Sequence, residues 1–451
     1  MARFTIHEVC LATKGVASGT VHDVFTRIST DTRDVKPGDL FIPLVGETFD
    51  GHDFIEQAVK NGAIGVITSR PNQKNPSNIS VILVDDTLTA LQDLARFHRQ
   101  RFSIPIVAIT GSNGKTTTKD MTAAILSSRF KVLKTKANYN NEIGLPLTLL
   151  ELTDEHEVAV VEMGMRGKGQ ISQLAHIALP TIAVITNVGE THIELLGSIE
   201  AIASAKAELL EVIPENGLTI LNGDDDYVKA MAMHVTSRLS LFGLECGEIR
   251  GDKIHADISS MNFECHSIQG VFSVHLPTVG RHNIYNALAA IAVGLEVGLN
   301  FEEICAGLSQ FNASPMRLHI EKIGDYTVIN DAYNASPMSM LAAINTLGEI
   351  AINRKVAVLG DMLELGHIGV EAHRQIGEKL AQCHIDIVVT VGTLASHIAQ
   401  SAKEHGLAMS IACHSHDEAQ ERLKKIIQPG DTILIKGSRG MKMENIITMF
   451  R

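Results

Sequence analysis

The chain has 451 residues, which is too long for one hydrophobic core and suits two to four domains of about 150 residues each. Its formal net charge is -12 at pH 7, with 39 Lys and Arg residues against 51 Asp and Glu residues. This charge disfavours a nucleic-acid backbone or an anionic membrane as a general partner, although a local cluster of cations still allows an anionic substrate.

The spacing of the cysteines and the length of the apolar segments indicate in which cellular compartment the protein is expected. The six cysteines are scattered and form no C-x-x-C pair, which disfavours a zinc site or a disulfide framework and suits a reducing environment. The first residues lack the long apolar segment of a secretory signal, and no apolar run is long enough to cross a bilayer. We therefore expect a cytoplasmic protein that does not insert into membranes.

Short apolar runs alternate with helical patterns, which predicts α/β domains with largely parallel sheets. The predicted strands of the first section are DLFIPL, AIGVITS and SVILVDD, with a helix in HDFIEQAVKNG and a surface loop in RPNQKNPSN. The second section holds IPIVAIT, EVAVVEMG and TIAVITNVG, and the third holds YTVIND, KVAVLGDM, DIVVTVG and DTILIKGS. Boundaries near Ser103 and in FNASPMR predict three domains, over residues 1–103, 104–313 and 314–451.

Polar or charged residues follow many of these strands, as Glu162, Asp331, Asp361 and Lys436 do. In open α/β sheets, ligands bind beyond the carboxyl ends of the strands. Because such strand ends occur in two consecutive domains, we expect a ligand-binding cleft between the second and third domains.

The segment TGSNGKTTTKD, residues 110–120, follows a predicted strand and precedes a predicted helix. Gly111 and Gly114 allow a tight turn whose backbone N–H groups, together with the helix N-terminus, favour phosphate. Lys115 is placed to reach terminal phosphates and Thr116 to offer a hydroxyl to Mg²⁺. Only two residues separate the glycines, whereas the common P-loop has four, and a plain strand–turn–helix connection is the alternative.

Two further segments carry candidate metal ligands. Glu162 ends an apolar run, and its carboxylate suits Mg²⁺ if this strand neighbours the glycine loop; a solvated strand end is an equal alternative. One predicted helix face carries Ile199, Ile202, Lys206, Leu209 and Ile213, so Lys206 interrupts an apolar stripe. An unpaired buried charge is costly, so this lysine extends to solvent, pairs with a carboxylate or is chemically modified. His192 is either a metal ligand or a structural histidine.

The third section adds polar residues that are candidates for substrate contact, although loop capping explains each one alone. They are Asp331, Asn334, Asp361, Lys436, Ser438 and Arg439. The segment VGRHNIYNALAA opens a predicted helix whose first polar residues either cap it or contact a nucleotide base. These residues are Arg281, His282, Asn283 and Asn286.

Taken together, these segments resemble the Mur ligase family across essentially the whole chain. The shared motifs are TGSNGKTTT, VVEMG, TNVGETH, SAKAE, NGDDD, GRHNIYNALAA, MR and IKGSR, and the short glycine loop is the form this family uses. The segment STDTRDVKPGDLFIPLVGETFDGHDFI resembles the family's UDP-binding domain. The segments ANYNNEIGLP, NDAYNASPMSM and LGDMLELG resemble the member that adds D-alanyl-D-alanine.

The resemblance implies a fold and an activity. The fold would be α/β in three domains: a small UDP-binding N-terminal domain, a central P-loop-type ATPase domain with a mostly parallel sheet, and a Rossmann-like C-terminal domain. The activity would be ATP-dependent joining of D-alanyl-D-alanine to UDP-N-acetylmuramoyl-tripeptide through an acyl phosphate, for peptidoglycan precursor synthesis. The implied cofactors are ATP, two Mg²⁺ ions and a CO₂-derived carbamate on Lys206. The protein would be a monomer that binds no nucleic acid.

The resemblance also implies roles for individual residues. The catalytic residues would be Lys115, Lys206, His192 and Arg317. ATP would contact Gly111, Ser112, Asn113, Gly114, Lys115, Thr116, Thr117, Asn283, Arg317 and Asp331. The two other substrates would contact Ser29, Thr30, Arg33, Asn140, Asn141, Asn334, Ser336 and Pro337. The Mg²⁺ ligands would be Thr116, Glu162, His192 and Lys206 as its carbamate.

Other functions compete with this interpretation. The preceding Mur ligase would be expected to carry an Asp-Asn-Pro-Arg motif, which this sequence lacks, and the UDP-type segment disfavours a folate polyglutamylating enzyme. A P-loop switch or transporter ATPase is disfavoured by the short glycine loop. A non-catalytic nucleotide-binding scaffold is disfavoured because Lys115, Thr116, Glu162, His192 and Lys206 occur together.

Overall fold

The computed structural model describes residues 2–20, 22–72 and 76–451, so residues 73–75 of the predicted surface loop lie outside the described residues. The chain divides into two compact units. The first comprises Met1–Ala108, Phe130–Met165 and Gly169–Ile182, and the second comprises Ile109–Arg129, Arg166–Lys168 and Ala183–Arg451. Within the described ranges, no helix is both long and apolar enough to span a membrane.

The strands and helices alternate along most of the chain, as the apolar runs predicted. The strands are β1 (Phe4–Thr5), β2 (Val16–Gly19), β3 (Val24–Phe25), β4 (Arg27–Ser29), β5 (Asp39–Phe41), β6 (Gly65–Thr68), β7 (Ser80–Leu83), β8 (Ile106–Thr110), β9 (Val132–Lys134), β10 (Val158–Glu162), β11 (Ile182–Ile185), β12 (Leu218–Asn222), β13 (Arg238–Gly243), β14 (Ile249–Ala256), β15 (Met261–Ser267), β16 (Gly270–Leu276), β17 (His319–Ile323), β18 (Tyr326–Asp331), β19 (Lys355–Gly360), β20 (Ile387–Val391), β21 (Met409–Cys413) and β22 (Thr432–Lys436). The α-helices are α1 (Ile6–Thr13), α2 (Ile55–Lys60), α3 (Thr87–Arg99), α4 (Lys115–Leu126), α5 (Gly144–Leu149), α6 (Gln170–Ala178), α7 (Ile193–Leu196), α8 (Ile199–Ala207), α9 (Asp226–Ala230), α10 (His282–Glu296), α11 (Phe301–Ser309), α12 (Pro337–Ile350), α13 (Gly369–Gln382), α14 (Ser396–Glu404) and α15 (His416–Ile426).

The first unit contains a five-stranded sheet in the order β2, β7, β6, β5, β4. Strand β2 pairs with β7 in antiparallel orientation, and the other neighbours are parallel. Phe41, Ile55 and Val66 are buried in the core beside this sheet. Elsewhere in the same unit, β9 and β10 pair in parallel and α3 packs against α5 and α6. Strand β10 places Glu162 at its carboxyl end.

In the second unit, strands β16, β15, β14, β13, β12 and β11 lie side by side in that order. The β12–β13 and β13–β14 pairs are parallel, as expected for this section. The β14–β15 and β15–β16 pairs are antiparallel and were not predicted. Their residues alternate between buried and exposed positions, which is typical of antiparallel strands with one solvated face.

The second unit also contains a six-stranded sheet in the order β17, β18, β22, β19, β20, β21. Strand β17 is antiparallel to β18, and the remaining neighbours are parallel. Its core holds buried Val328, Val358 and Ile435. Because β18, β19 and β22 run in parallel, their carboxyl ends bring Asp331 and Lys436 to one edge of the sheet.

One predicted helix is shorter than expected. The spacing of apolar residues predicted a single helix face as far as Ile213, but α8 ends at Ala207 and a 3-10 turn follows over Leu210–Val212. Ile202, Leu209 and Ile213 are buried nonetheless, and so is Lys206, whereas Ile199 is half-buried. Burial was therefore correctly predicted for this segment, whereas the helix end was wrong because apolar periodicity alone does not mark a helix terminus.

Candidate active site

The loop between β8 and α4 is shaped by two glycines that no other residue could replace without movement. Gly111 has a φ of +147°, and a Cβ there would lie 1.9 Å from Oγ1 of Thr186. Gly114 has a φ of +81°, and a Cβ there would lie 2.4 Å from Oδ1 of Asn286. Both conformations lie where L side chains are disfavoured. The short spacing of the glycines is thus a structural requirement of this turn.

The glycine loop is held by the segment that follows β11. The backbone N–H of Ser112 donates to the carbonyl of Asn187 at 2.9 Å, and the Asn113 N–H donates to Oδ1 of Asn187 at 2.8 Å. Ser112 Oγ exchanges hydrogen bonds with the Gly189 carbonyl and N–H at 3.0 and 2.9 Å. Thr186 Oγ1 donates to the Asn113 carbonyl at 2.7 Å. This network fixes the loop backbone in one conformation.

The start of α4 is arranged for an anion. Its N-cap is Gly114, and no side chain caps its first turn. Lys115 Nζ donates to the carbonyls of Gly111 and Ser112 at 2.8 and 3.2 Å, so its ammonium lies over the loop. The Thr116 side chain is buried in the same turn. A helix N-terminus, a lysine and a hydroxyl therefore lie together, which is the donor set that binds phosphate.

Lys206 is enclosed and lies near other basic groups. Its side chain is 2 % exposed, and burial, followed by the charge of Lys115, lowers its pKa well below the ordinary lysine value. Within the described ranges, no carboxylate forms an ion pair with this lysine. Of the three alternatives for Lys206, extension to solvent is wrong, because the side chain is buried. A neutral amine is the form of lysine that burial favours here.

His192 lies at the N-terminus of α7 with φ +58°, an unusual conformation for a residue with a side chain. Nδ1 of its ring contacts Oε2 of Glu364. The contact is not aligned as a hydrogen bond, so the carboxylate acts on the ring through its charge. Burial lowers the pKa of His192, Glu364 raises it, and Lys115 and Lys206 lower it further. The structure thus brings three predicted residues, Lys115, His192 and Lys206, into one electrostatic environment.

The residues predicted at the nucleotide base form a buried network at the start of α10. Asn283 Nδ2 donates to the Val279 carbonyl at 2.7 Å, and Asn286 Nδ2 donates to Oδ1 of Asn283 at 3.0 Å. Thr118 of α4 donates to Oδ1 of Asn286 at 3.1 Å. Asn283 therefore supports the start of α10, and Asn286 connects that helix to α4; the contact of Asn283 with adenine stays a prediction.

Arg317, Asp331 and Lys436 lie on the segments that surround β18 and β22. Lys436 Nζ pairs with Oδ2 of Asp331 at 2.5 Å and donates to the Asn334 carbonyl at 2.9 Å. The N–H of Leu318 donates to Oδ1 of Asp331 at 3.0 Å. The Arg317 guanidinium lies 4.0 Å from the centre of the Tyr333 ring. Tyr333 was missed by the sequence analysis, because nothing in its local pattern indicates a stacking partner.

Ser336 and Pro337 form the first turn of α12. Ser336 is the N-cap, forms a capping box with Ser339, and donates from Oγ to Oδ1 of Asn113 at 3.0 Å. The sulfur of Met338 lies 3.6 Å from Nδ2 of Asn113. The predicted dipeptide segment and the glycine loop are therefore in direct contact through Asn113.

The predicted substrate residues of the first unit fall into two groups. Ser29 is buried and donates to the Asp31 carbonyl at 3.0 Å, while Arg33 is exposed and pairs with the Asp31 carboxylate at 2.6 Å. Thr30 lies between them and is half-buried. Asn140 donates from Nδ2 to Oε1 of the buried Glu162 at 2.7 Å.

Asn141, the remaining predicted substrate residue of this unit, accepts from the N–H of Gly144 at 2.9 Å at the beginning of α5. Its side chain therefore supports the local turn. Of the two neighbouring asparagines, Asn140 is the one that the structure joins to a predicted metal ligand.

Some candidates at the ends of β19 and β22 have structural partners. Asp361 Oδ1 accepts from the N–H of Ala395 at 2.6 Å, and Ser438 Oγ accepts from the N–H of Leu363 at 2.9 Å. Arg439 pairs with Glu444 at 2.8 Å. Glu364, which contacts His192, was not singled out from sequence, because only the tertiary structure brings these two residues together.

The chain matches three models of one family. The Mur ligase family catalytic domain matches residues 24–99, the Mur ligase middle domain matches residues 109–294, and the Mur ligase glutamate ligase domain matches residues 316–439. Together with the relatives below, these matches show that the chain belongs to the Mur ligase family.

Within this family, relatives that match the chain over nearly its whole length are of the MurF type. The UDP-N-acetylmuramoyl-tripeptide--D-alanyl-D-alanine ligase of Bacillus subtilis (strain 168) is 40 % identical over 454 residues, covering 99 % of this chain and 98 % of that protein. A crystal structure of MurF from Acinetobacter baumannii has a TM-score of 0.94 and 34 % identity, with 100 % of both chains covered. MurF from Thermotoga maritima, solved in complex with ADP, has a TM-score of 0.85 and 30 % identity, covering 94 % of this chain and 96 % of that one.

Proposed function

We propose that this chain joins D-alanyl-D-alanine to UDP-N-acetylmuramoyl-tripeptide with the energy of ATP, giving UDP-N-acetylmuramoyl-pentapeptide, ADP and phosphate. One observation carries this proposal: the glycine loop and the buried Lys206 belong to the same compact unit, and the charge of Lys115 in that loop acts on Lys206. The substrates are those in the name of the Bacillus subtilis relative. An ADP complex of a similar protein supports the nucleotide.

The glycine loop is proposed to hold the ATP phosphates. The N-terminal N–H groups of α4 and the Lys115 ammonium would neutralise phosphate charge, with Ser112, Asn113 and Thr117 on the same turn. Asn283 is proposed to contact the base. Arg317 and Asp331 are proposed to reach the phosphates and ribose.

Magnesium and a carbamate fit the residues present. No group of three or more His, Cys, Asp or Glu side chains in the described part of the chain is arranged as a metal site, so a complete ligand set needs other donors. Thr116 offers a hydroxyl and Glu162 a buried carboxylate, both oxygen donors of the kind Mg²⁺ prefers. A neutral Lys206 amine would be able to add CO₂ with release of one proton, and the carbamate would supply a further carboxylate near His192.

Thr116 and Glu162 are proposed to hold one Mg²⁺, and His192 with the Lys206 carbamate a second. Bound Mg²⁺ would supply positive charge where the substrate carboxylate meets the triphosphate. Lys115 would also supply positive charge, from the glycine loop.

The chemistry then needs positioning more than covalent help from side chains. A carboxylate oxygen of the tripeptide bonds to the γ-phosphorus, and the bond from that phosphorus to ADP breaks. The amine nitrogen of D-alanyl-D-alanine next bonds to the acyl carbon, loses a proton, and displaces phosphate. Closure that excludes water would protect the acyl phosphate between these steps.

The remaining assignments concern the other substrates. Ser29, Thr30 and Arg33 are proposed to contact the UDP-linked substrate, and Asn140 and Asn141 its peptide. The dipeptide is proposed to lie near three residues of the α12 entry, namely Asn334, Ser336 and Pro337.

We also propose three domains over residues 1–103, 104–313 and 314–451. Each family-model match falls within one of these ranges, which supports the division. We propose that the protein is a cytoplasmic monomer that binds no nucleic acid, as its negative net charge favours.

Phosphate release tests the proposal. Purified protein with ATP and Mg²⁺ should release phosphate at a substantial rate only when UDP-N-acetylmuramoyl-tripeptide and D-alanyl-D-alanine are both present. The matched control replaces D-alanyl-D-alanine with L-alanyl-L-alanine. Phosphate release when both of these substrates are absent would instead indicate a switch-type ATPase. Phosphate release with a folate substrate would indicate a different ligase.

A further inference from the structure

We propose that Glu364 is a positioning residue that fixes the ring of His192 with its proton on Nδ1, so that Nε2 is the atom offered to a metal ion. This inference rests on the proposed metal role of His192. It adds a residue from the third section of the chain to a site otherwise built by the glycine loop, α7 and α8.

The geometry around the pair is specific. His192 and Glu364 both have left-handed backbones, with φ +58° and +63°. The N–H of Glu194 donates to the Glu364 carbonyl at 3.3 Å, so the two loops are joined through their backbones as well as their side chains. Gly366, with φ +50°, lets the second loop approach closely, since a Cβ there would lie 3.2 Å from Cβ of Glu194.

Two hydrogen bonds anchor the loop that carries Glu364, just after the end of β19. The N–H of Met362 donates to Nε2 of the buried His373 at 2.9 Å, and His373 Nδ1 lies 2.6 Å from the Gly369 carbonyl. Since Nε2 accepts, Nδ1 carries the proton, and His373 is neutral. The N–H of Leu363 donates to Ser438 Oγ at 2.9 Å. The Glu364 carboxylate is thus presented from a fixed backbone.

The charges on either side of the His192 ring differ in sign. Glu364 lies against Nδ1, while Lys115 and Lys206 act on the ring as positive charges. A carboxylate beside Nδ1 favours the tautomer with hydrogen on that atom and leaves the lone pair on Nε2. In many metal sites a carboxylate lies beside the other ring nitrogen of a histidine ligand, where it fixes the ring orientation and raises the basicity of the ligating nitrogen.

A surface ion pair is the simpler alternative. The side chains of His192 and Glu364 are 25 % and 44 % exposed, and ion pairs of this kind contribute little to folding. The two interpretations differ in what they predict for Glu364→Ala. A surface pair predicts no change in metal binding, whereas a positioning residue predicts weaker metal binding with little change in stability.

The test measures Mn²⁺ binding by electron paramagnetic resonance, in the full chain with bicarbonate and a non-hydrolysable ATP analogue. We expect Glu364→Ala to weaken Mn²⁺ binding about 10- to 100-fold and Glu364→Gln to weaken it less, because the amide oxygen keeps a partial negative charge beside Nδ1. The matched control is Glu194→Gln, which changes an exposed carboxylate in α7 and should bind Mn²⁺ as the parent does.

A second readout is independent of metal. Nitrogen-15 NMR of the metal-free protein, with His192 assigned by its loss in His192→Ala, should show the Nδ1–H tautomer in the parent. Glu364→Ala should shift the ring toward the Nε2–H tautomer, and Glu194→Gln should not.

The variants distinguish the metal role proposed for His192 from the positioning role proposed for Glu364. If His192→Ala binds Mn²⁺ as tightly as the parent, the metal role of His192 is wrong and this inference falls with it. If His192→Ala loses Mn²⁺ while Glu364→Ala keeps both the parent affinity and the parent tautomer, the metal role stands and the role of Glu364 is overturned.

Discussion

The glycine loop and the Lys206–His192 region belong to the same compact unit, but they are built differently. The loop is made by backbone: Gly111 and Gly114 create its turn, and carbonyls and N–H groups of the neighbouring segment hold it. The other region is made by side chains whose charge depends on burial and neighbours. We therefore expect the loop to lose its function when a substitution changes its backbone geometry. We expect the Lys206–His192 region to lose its function when a substitution changes a charge.

The largest effect should come from adding a methyl group to the loop. Gly111→Ala puts a Cβ 1.9 Å from Thr186 Oγ1 at φ +147°, so the turn must move. We expect at least a roughly 100-fold loss of affinity for an ATP analogue and a loss of about 2–4 kcal/mol in the free energy of unfolding. Calorimetric titration and urea unfolding measure the two effects.

The matched control for that change is Gly348→Ala in α12. A Cβ there has open space, and its φ is ordinary, so the free energy of unfolding should rise by about 0.5–1 kcal/mol with unchanged nucleotide binding. Equal affinity for the analogue in Gly111→Ala and the parent would show that the loop is not built by geometry.

The next largest effect should come from removing the charged group proposed at Lys206. Lys206→Ala removes the proposed carbamate and should lower turnover at least about 100-fold, while a binding assay still detects the ATP analogue. Millimolar acetate or formate should restore part of the turnover by replacing the lost carboxylate. Lys322→Ala, an exposed lysine on β17, is the control and should keep full turnover. Near-normal turnover in Lys206→Ala contradicts the carbamate.

A stability measurement sharpens the same point. Burial lowers the Lys206 pKa, so in CO₂-free and metal-free buffer the unfolded state binds more protons than the folded state below the ordinary lysine pKa. Lys206→Met should therefore raise the free energy of unfolding by about 1–3 kcal/mol at pH 7. The gain should shrink as pH rises toward about 10.4, where the unfolded lysine also loses its proton. Urea unfolding at pH 7 and 9.5 measures it, and a gain independent of pH would rule out this cause.

The smallest effect joins the loop to α12. Ser336→Ala removes both the N-cap and the hydrogen bond to Asn113, and should cost about 1 kcal/mol of stability and a few-fold in ATP-analogue affinity. Ser415→Ala removes only the N-cap of α15 and should cost similar stability with no change in affinity. Equal affinities in the two variants would show that the Ser336–Asn113 contact does not support the loop.

The two regions also differ in how well sequence predicts them. The loop was predictable because its constraint is local: a strand, two glycines and a helix start within ten residues. The burial of Lys206 was predictable from apolar spacing, but the end of α8 was not, since the same spacing continues through a 3-10 turn. Glu364 was missed because its partner, His192, is distant in sequence and only tertiary structure brings them together.

Antiparallel strands β14–β16 show the same limit at the level of the fold. Their local pattern identifies strands, but direction depends on partners that the pattern does not specify. The polar residues at the ends of β18 and β22 were found because parallel strands place their carboxyl ends together. Whether such a residue binds a ligand or caps a loop, as Asp361 does for Ala395, depends on its tertiary partners.

The central claim is that ATP bound at the glycine loop activates a carboxylate. The most direct measurement uses UDP-N-acetylmuramoyl-tripeptide labelled with ¹⁸O in its terminal carboxylate, with ATP and D-alanyl-D-alanine, and mass spectrometry of the released phosphate. If an acyl phosphate forms, one ¹⁸O atom moves from the tripeptide to each phosphate. Phosphate without ¹⁸O, released in step with product, would contradict the account.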